Sequence, residues 1–366
     1  MKTIQYMLLI VAGLMINNHR LTAQRYLVES PDKQLQVQIT PGSNEVSLID
    51  FQLRTRSKIE LIGGSVGIRT LATAVNHDTA NQKSEDKNYL AAPPDKRQVS
   101  RSWTTVYGER RIVPENYREL EFRFAKNEQE GDSIVVTCRL YNEGFAYRYQ
   151  VVRKKPFILQ AETSSFKTMP GSVGWVSRFA QSAITSVPIH QLADTVERPL
   201  TIQLSNGKYL ALGEAALTDF SRMKFGGRKT QSLGCVLNGP VASGPRLLSP
   251  WRYILTGNSP AALLNHNYMI ENLNPPSAIS NTDWIKPGKI LREVTLSTTG
   301  ALNCIDFASR HDISYICFDA GWYGKEDSDT SDATRVSLDP ARAKGSLDLQ
   351  KVIDFVLPSQ ISGIRF

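Results

Sequence analysis

Cysteine is sparse in this chain, four residues in 366, and no two form a C-x-x-C pair. Zinc-ribbon and thioredoxin-type sites are therefore excluded. Cys138 and Cys317 lie within strand-like apolar runs and Cys304 on a helical apolar face, so they read as buried free thiols. A Cys304–Cys317 bridge is the alternative in an oxidising compartment. Long apolar runs are also missing. The longest, Met7–Met15, falls well short of the roughly 20 residues of a membrane-spanning helix. No G-x-S-x-G, H-E-x-x-H or P-loop pattern occurs, which removes the common serine-hydrolase, zinc-protease and nucleotide-binding readings. Basic residues outnumber acidic ones, for a net charge of +8, but they are scattered. Arg54, Arg56 and Lys58 alternate along one segment as a solvated strand face does. No basic stripe interleaved with aromatics is present, and nucleic acid is not an expected partner.

What is present begins with an export signal. Met1-Lys2 gives a basic start, Met7–Met15 an apolar stretch, and Leu21-Thr22-Ala23 a small-residue end before Gln24. That order predicts a signal peptide over residues 1–23, cut after Ala23. Lys2 and Arg20 lie inside it, leaving the mature chain near +6. A periplasmic or secreted location follows.

From Arg25 to about Pro250 the dominant period is two. Gln34–Ile39 and Glu119–Phe124 alternate polar and apolar residues, the pattern of a strand with one face buried and one wet. Further strands are predicted at Ser133–Leu140, Phe145–Val152 and Leu200–Gln203. Asn206-Gly207, between Thr201–Leu204 and Lys208–Leu212, marks a tight hairpin. Many short strands at this spacing predict a large antiparallel β-sandwich over 24–280. After Asn274-Pro275-Pro276 the pattern changes. Thr299–Arg310 has helical spacing, Ile313–Phe318 is a continuous apolar run, and Leu347–Val356 is helical again until Pro358. A fully apolar strand after a helix predicts a parallel sheet buried on both faces. Residues 285–366 thus read as the first βα units of a (β/α)8 barrel, which in full takes about 250 residues.

Several strings in this order resemble glycoside hydrolase family 97, the calcium-dependent α-glucosidases and α-galactosidases of Bacteroides-type bacteria. They include Ser102–Glu109 with Asn116–Leu120, Arg139–Tyr149, Glu162–Phe166, Pro199–Thr201, Glu214–Phe220 and Ser249–Arg252. At the domain junction stand Trp284–Lys289, then Cys304–Ala308 and Phe318–Gly324. The resemblance implies an N-terminal β-sandwich, a catalytic barrel and a Ca²⁺ site. It also implies that the catalytic carboxylates lie beyond Phe366.

Five residues are candidates for chemistry. Asp319 ends an apolar strand, where barrel active sites gather, and is expected to accept sugar hydroxyls. Trp322 offers a ring face to a pyranose. Glu214 matches the family's N-terminal calcium ligand, although one carboxylate cannot form such a site alone. After Pro287-Gly288-Lys289 the glucosidase members carry a tryptophan-rich strand, whereas this chain has Ile290–Val294. Arg292 and Glu293 there either bond sugar hydroxyls or pair with each other. Glu326, Asp327, Asp329 and Asp332 form an acidic loop without EF-hand spacing, and read as a solvated turn.

Three functions compete: part of an α-glycosidase acting on glycans, a non-catalytic carbohydrate-binding or interaction module, or an inactive product of a truncated gene. Export is directly testable. Mature protein recovered from the periplasm should begin at Gln24 by N-terminal sequencing, and an intact Met1 there would refute the leader.

Overall fold

The structure is a computed structural model that describes residues 24–72, 90–125 and 131–356. The leader and the Pro358 helix stop predicted above lie outside the described residues. The chain divides into two compact units, residues up to 105 with 110–277, and 106–109 with the residues from 278 onward.

The first unit is a β-sandwich, as its period-two sequence predicts. Leu35, Val37 and Ile39 point inward from the strand Leu35–Asn44, while the residues between them remain partly exposed. The same alternation runs through Ile112–Ala125 and Ser133–Tyr141. Among the described residues, an eight-stranded sheet runs from Tyr26–Glu29 at one edge to Thr195–Val196 at the other. An eleven-stranded sheet carries Tyr209–Ala215, Trp251–Gly257 and Gly144–Val152 side by side near its centre. Pairing in both is antiparallel. A smaller sheet of Val241–Ser243, Phe157–Glu162 and Ile68–Ala72 was not legible in the sequence.

The core lies between the two large sheets. Phe51 of one meets Phe145 of the other at 5.3 Å between ring centroids, and Phe166 meets Tyr147 at 6.4 Å. Each fully buried aromatic or aliphatic side chain contributes about 1.5–3 kcal/mol through water exclusion, and dozens line this layer. On the outer face of the larger sheet, Leu263 and Met269 from two short helices, Pro260–Asn265 and Tyr268–Asn272, and Leu273 just after the second, cover Tyr117, Trp251 and Tyr253.

The Asn206-Gly207 hairpin forms where expected. Leu200 pairs with Leu212 across it, and Gly207 takes φ +82°, a conformation natural to glycine. The Asn206 side chain accepts from the Lys208 N–H at 3.1 Å and closes the turn.

The second unit holds a βαβ element. Strands Ile290–Glu293 and Tyr315–Phe318 pair in parallel, joined by the helix Thr298–Arg310. The Ser297 hydroxyl caps that helix by accepting from the Gly300 N–H at 3.0 Å. Only these two strands form a sheet among the described residues of this unit, so no closed barrel stands among them. The expectation of a strand buried on both faces is corrected here. Ile316 and Phe318 are buried with the helix, but Cys317 faces outward and is exposed. Strand side chains alternate between faces, and packing covers only one face. Cys138 and Cys235 are buried free thiols; Cys304 is half-buried and unbridged.

Phe166 is fully buried among Phe51, Tyr147 and Phe225. Phe166→Ala should therefore cost about 3–5 kcal/mol in urea denaturation. A loss under about 1 kcal/mol would mean that this core collapses around the gap.

Candidate functional site

Alternation along Tyr209–Ala215 sends Leu210, Leu212 and Glu214 into the sandwich and Ala211 and Ala215 to its outer face. Gly213 lies beneath the Tyr253 ring, where an added Cβ would sit 2.3 Å from the phenol oxygen. Register pairs Glu214 with Arg252 on the neighbouring strand. Arg252 has no exposed surface at all. Its Nε and Nη2 donate to the two Glu162 oxygens at 3.0 and 2.5 Å, a bidentate fork, and its Nη1 donates to Glu214 Oε2 at 2.7 Å. The other Glu214 oxygen accepts from Arg198 Nε at 2.5 Å. Arg198 continues to Glu197 at 3.0 Å, which also takes Arg222 Nη2 at 2.7 Å and Lys224 Nζ at 2.9 Å.

The result is a chain of alternating charges running from the interior outward. Charges stripped of water are costly unless each finds a partner with good geometry. Burial works against the charge on Arg252, but the Glu162 carboxylate outweighs it and holds the guanidinium pKa well above its ordinary value. For Glu197, burial pushes the pKa up and its three cations prevail, leaving it below the usual carboxylate range.

Calcium takes six to eight oxygen ligands. Both Glu214 oxygens are directed at guanidinium groups, and the carboxylates beyond them, Glu162 and Glu197, are each bound to those same guanidinium groups. No group of three or more His, Cys, Asp and Glu side chains among the described residues is arranged to hold a metal. The described residues therefore do not fit a calcium ion.

A second cluster sits at the carboxyl end of the parallel strands in the second unit. The Asp319 N–H donates to the Glu293 carbonyl at 2.9 Å, which fixes the two strand ends together. The Asp319 carboxylate accepts from Arg342 Nη2 at 2.7 Å, with Arg292 Nη1 3.7 Å from its other oxygen. Arg342 also pairs with Glu326. Arg292 and Glu293 do not pair, because neighbours on a strand face opposite ways. Arg292 is exposed, whereas Glu293 is buried and accepts from the Thr295 and Leu296 N–H groups at 2.8 Å each. Glu293 thus shapes the turn that follows its strand. Trp322 is half-buried against the small core of this unit and meets Tyr323 edge-on. In the acidic loop, Asp332 is a turn-former. It accepts from the Thr334 N–H and hydroxyl, which hold its pKa below the usual range.

The structure thus separates the sequence-predicted residues, Glu214 in the sandwich and Asp319, Arg292, Glu293 and Trp322 in the second unit. Glu162, Arg198 and Arg252 were not singled out, although Glu162 and Arg252 fall within strings that carried the family resemblance. A charged residue inside a largely apolar strand is the signal that points to Glu162 and Arg252; Arg198 lies between two strands and carries none.

Two measurements test this network. Arg252→Met leaves Glu162 buried without its cation and Glu214 with Arg198 alone, and should cost about 3–5 kcal/mol in chemical denaturation. For Glu197 the folded pKa is depressed, so its stabilisation is present above the unfolded value of about 4.3 and is lost as pH falls through the lower folded one. Glu197→Gln should lower the melting temperature at pH 7, with the gap from wild type closing below pH about 4. A gap independent of pH would refute the charge network.

A family model described as glycosyl-hydrolase 97 N-terminal matches residues 28–276. A probable retaining alpha-galactosidase of Streptomyces bingchenggensis is 23% identical over 307 residues, 80% of this chain and 45% of that protein. A retaining alpha-galactosidase of Bacteroides thetaiotaomicron is 24% identical over 302 residues, 67% of this chain and 43% of its own length. The chain thus spans less than half the length of these curated relatives. Among solved structures, a glycoside hydrolase family 97 enzyme from Pseudoalteromonas in complex with acarbose superposes with a TM-score of 0.76. It is 19% identical and covers 92% of this chain and 53% of that one, a likeness of fold. The match across residues 28–276 spans more than half of the chain and includes the strands that carry Glu162, Glu214 and Arg252: the chain belongs to the glycosyl-hydrolase 97 family.

Proposed function

We propose that this chain is the sugar-positioning part of an exported glycoside hydrolase acting on α-linked galactosides or glucosides. Family membership over residues 28–276 is the observation that carries the reading, and the names of the two curated relatives favour galactosides. The Met1–Ala23 leader supports a periplasmic or secreted location.

Asp319 is the residue expected to meet the sugar. It ends a parallel strand, its carboxylate is one-fifth exposed, and Arg342 orients it. Arg292, largely exposed beside it, adds donors for ring hydroxyls, and Trp322 an apolar ring face. Glu293 acts through the turn it anchors. Retaining hydrolysis needs two carboxyl groups about 5–5.5 Å apart, one free to attack and the other to carry a proton. Asp319 and Glu326 are both tied to Arg342, so bond cleavage is assigned to neither. The family's calcium enters no step here, since Glu214 already holds two arginines.

Purified chain should release no nitrophenol from nitrophenyl α-galactoside or α-glucoside above a vector-only control. It should bind methyl α-galactoside in saturation-transfer NMR, with the signal lost in Asp319→Asn. Turnover by the chain, or binding unchanged by that substitution, would overturn the proposal.

A further inference from the structure

The outer face of the eleven-stranded sheet carries a concavity, on the side of the sheet opposite the Glu214 network. It has a volume of about 730 Å³ and is lined by Arg97, Arg101, Arg139, Arg148 and Arg246. Only two carboxylates, Glu115 and Asp219, share the lining. Strand geometry explains the clustering. Residues two apart on one strand, and opposite each other on neighbours, fall on the same face, so Arg97 and Arg101 stand beside Tyr117, Arg139 and Arg148 across the register.

Not all of these charges are compensated. Arg101 pairs with Glu115 at 2.5 Å and Arg139 with Glu119 at 2.7 Å. Arg97, Arg148 and Arg246 make no ion pair among the described residues. Arg148 is the most informative of the three. Its guanidinium lies 4.5 Å from the centre of the buried Trp251 ring, which Arg139 also approaches at 4.6 Å. The indole holds both cations by cation–π attraction, yet it cannot neutralise two like charges in a half-buried setting. Burial and the Arg139 charge together pull the Arg148 pKa below its ordinary value. A positively charged pocket of this kind attracts an anion.

The rest of the lining narrows the class of anion. The volume far exceeds a lone oxyanion and falls within the roughly 300–1,000 Å³ of small-molecule sites. Asp219 makes no ion pair among the described residues and stands in the same lining with Thr218 and Ser243. A free carboxylate repels a compact dianion such as phosphate but accepts hydrogen bonds from hydroxyl groups. Guanidinium forks for one carboxylate, together with a carboxylate and hydroxyls for the remainder, match a ring that carries both. We propose that this pocket binds an acidic sugar, a hexuronate unit, with its carboxylate against Arg148 and Arg246 and its hydroxyls toward Asp219.

The full chain can be titrated calorimetrically at low salt with sodium galacturonate, with galactose, and with sodium sulfate and acetate. Galacturonate should bind at least tenfold more tightly than galactose, sulfate or acetate. Arg148→Ala and Arg246→Ala should each weaken it at least tenfold. Arg246 is exposed, so its variant should keep the wild-type melting temperature and separates lost binding from lost folding. Galactose matching galacturonate, or binding that survives both substitutions, would overturn the site. Sulfate or acetate matching galacturonate would overturn the sugar assignment and leave a general anion patch.

Discussion

Arg252 sits in the middle of the sandwich with no access to water, and its charge must be answered there. Glu162 answers it through a two-point fork and Glu214 through a third hydrogen bond. These partners come from three strands, Phe157–Glu162, Tyr209–Ala215 and Trp251–Gly257, the first of them in the small sheet and the others in the large one. A core of Phe and Leu tolerates small slips, because dispersion contacts are non-directional and each is weak. A buried fork does not tolerate them, since a displaced carboxylate leaves a bare charge in a poorly polarisable medium. The pairing therefore fixes how the small sheet meets the large one, and with it where Glu214 points.

That constraint also decides what Glu214 can do. Its two oxygens are taken by Arg252 and Arg198, and beyond Arg198 the chain of charges ends on Glu197 among three cations. A carboxylate so placed serves architecture. Guanidinium groups take both of its oxygens, supplying charge and directional donors at once.

The two faces of the larger sheet divide the physical work. Its inner face is apolar apart from the Arg252 network. Its outer face is aromatic and basic, with Tyr117, Tyr141 and Trp251 under Arg139 and Arg148. Two short helices cover the apolar part of that face, and the arginine-lined part remains open as a cavity. In the second unit Glu293 has a role like that of Arg252 on a smaller scale. Buried at a strand end, it collects the N–H groups of the turn that follows, while Asp319 at the neighbouring strand end keeps partial exposure.

The sandwich, its hairpin at Asn206-Gly207 and the change to βα units are legible in the chain itself, because they rest on local periodicity and turn chemistry that neighbouring residues carry. The sequence also placed Asp319 at a strand end, since an apolar run followed by Asp-Ala-Gly is a local signal. It misjudged Cys317, because an apolar run cannot say how many faces will be covered. Tertiary structure alone decided that Glu162 and Arg252, 90 residues apart, would meet. It likewise decided that Arg198 would claim Glu214 and that Glu293 would turn inward. Charge partners across a fold leave no periodic trace in the chain; they follow from strand order and register, which exist only once the sheets have formed.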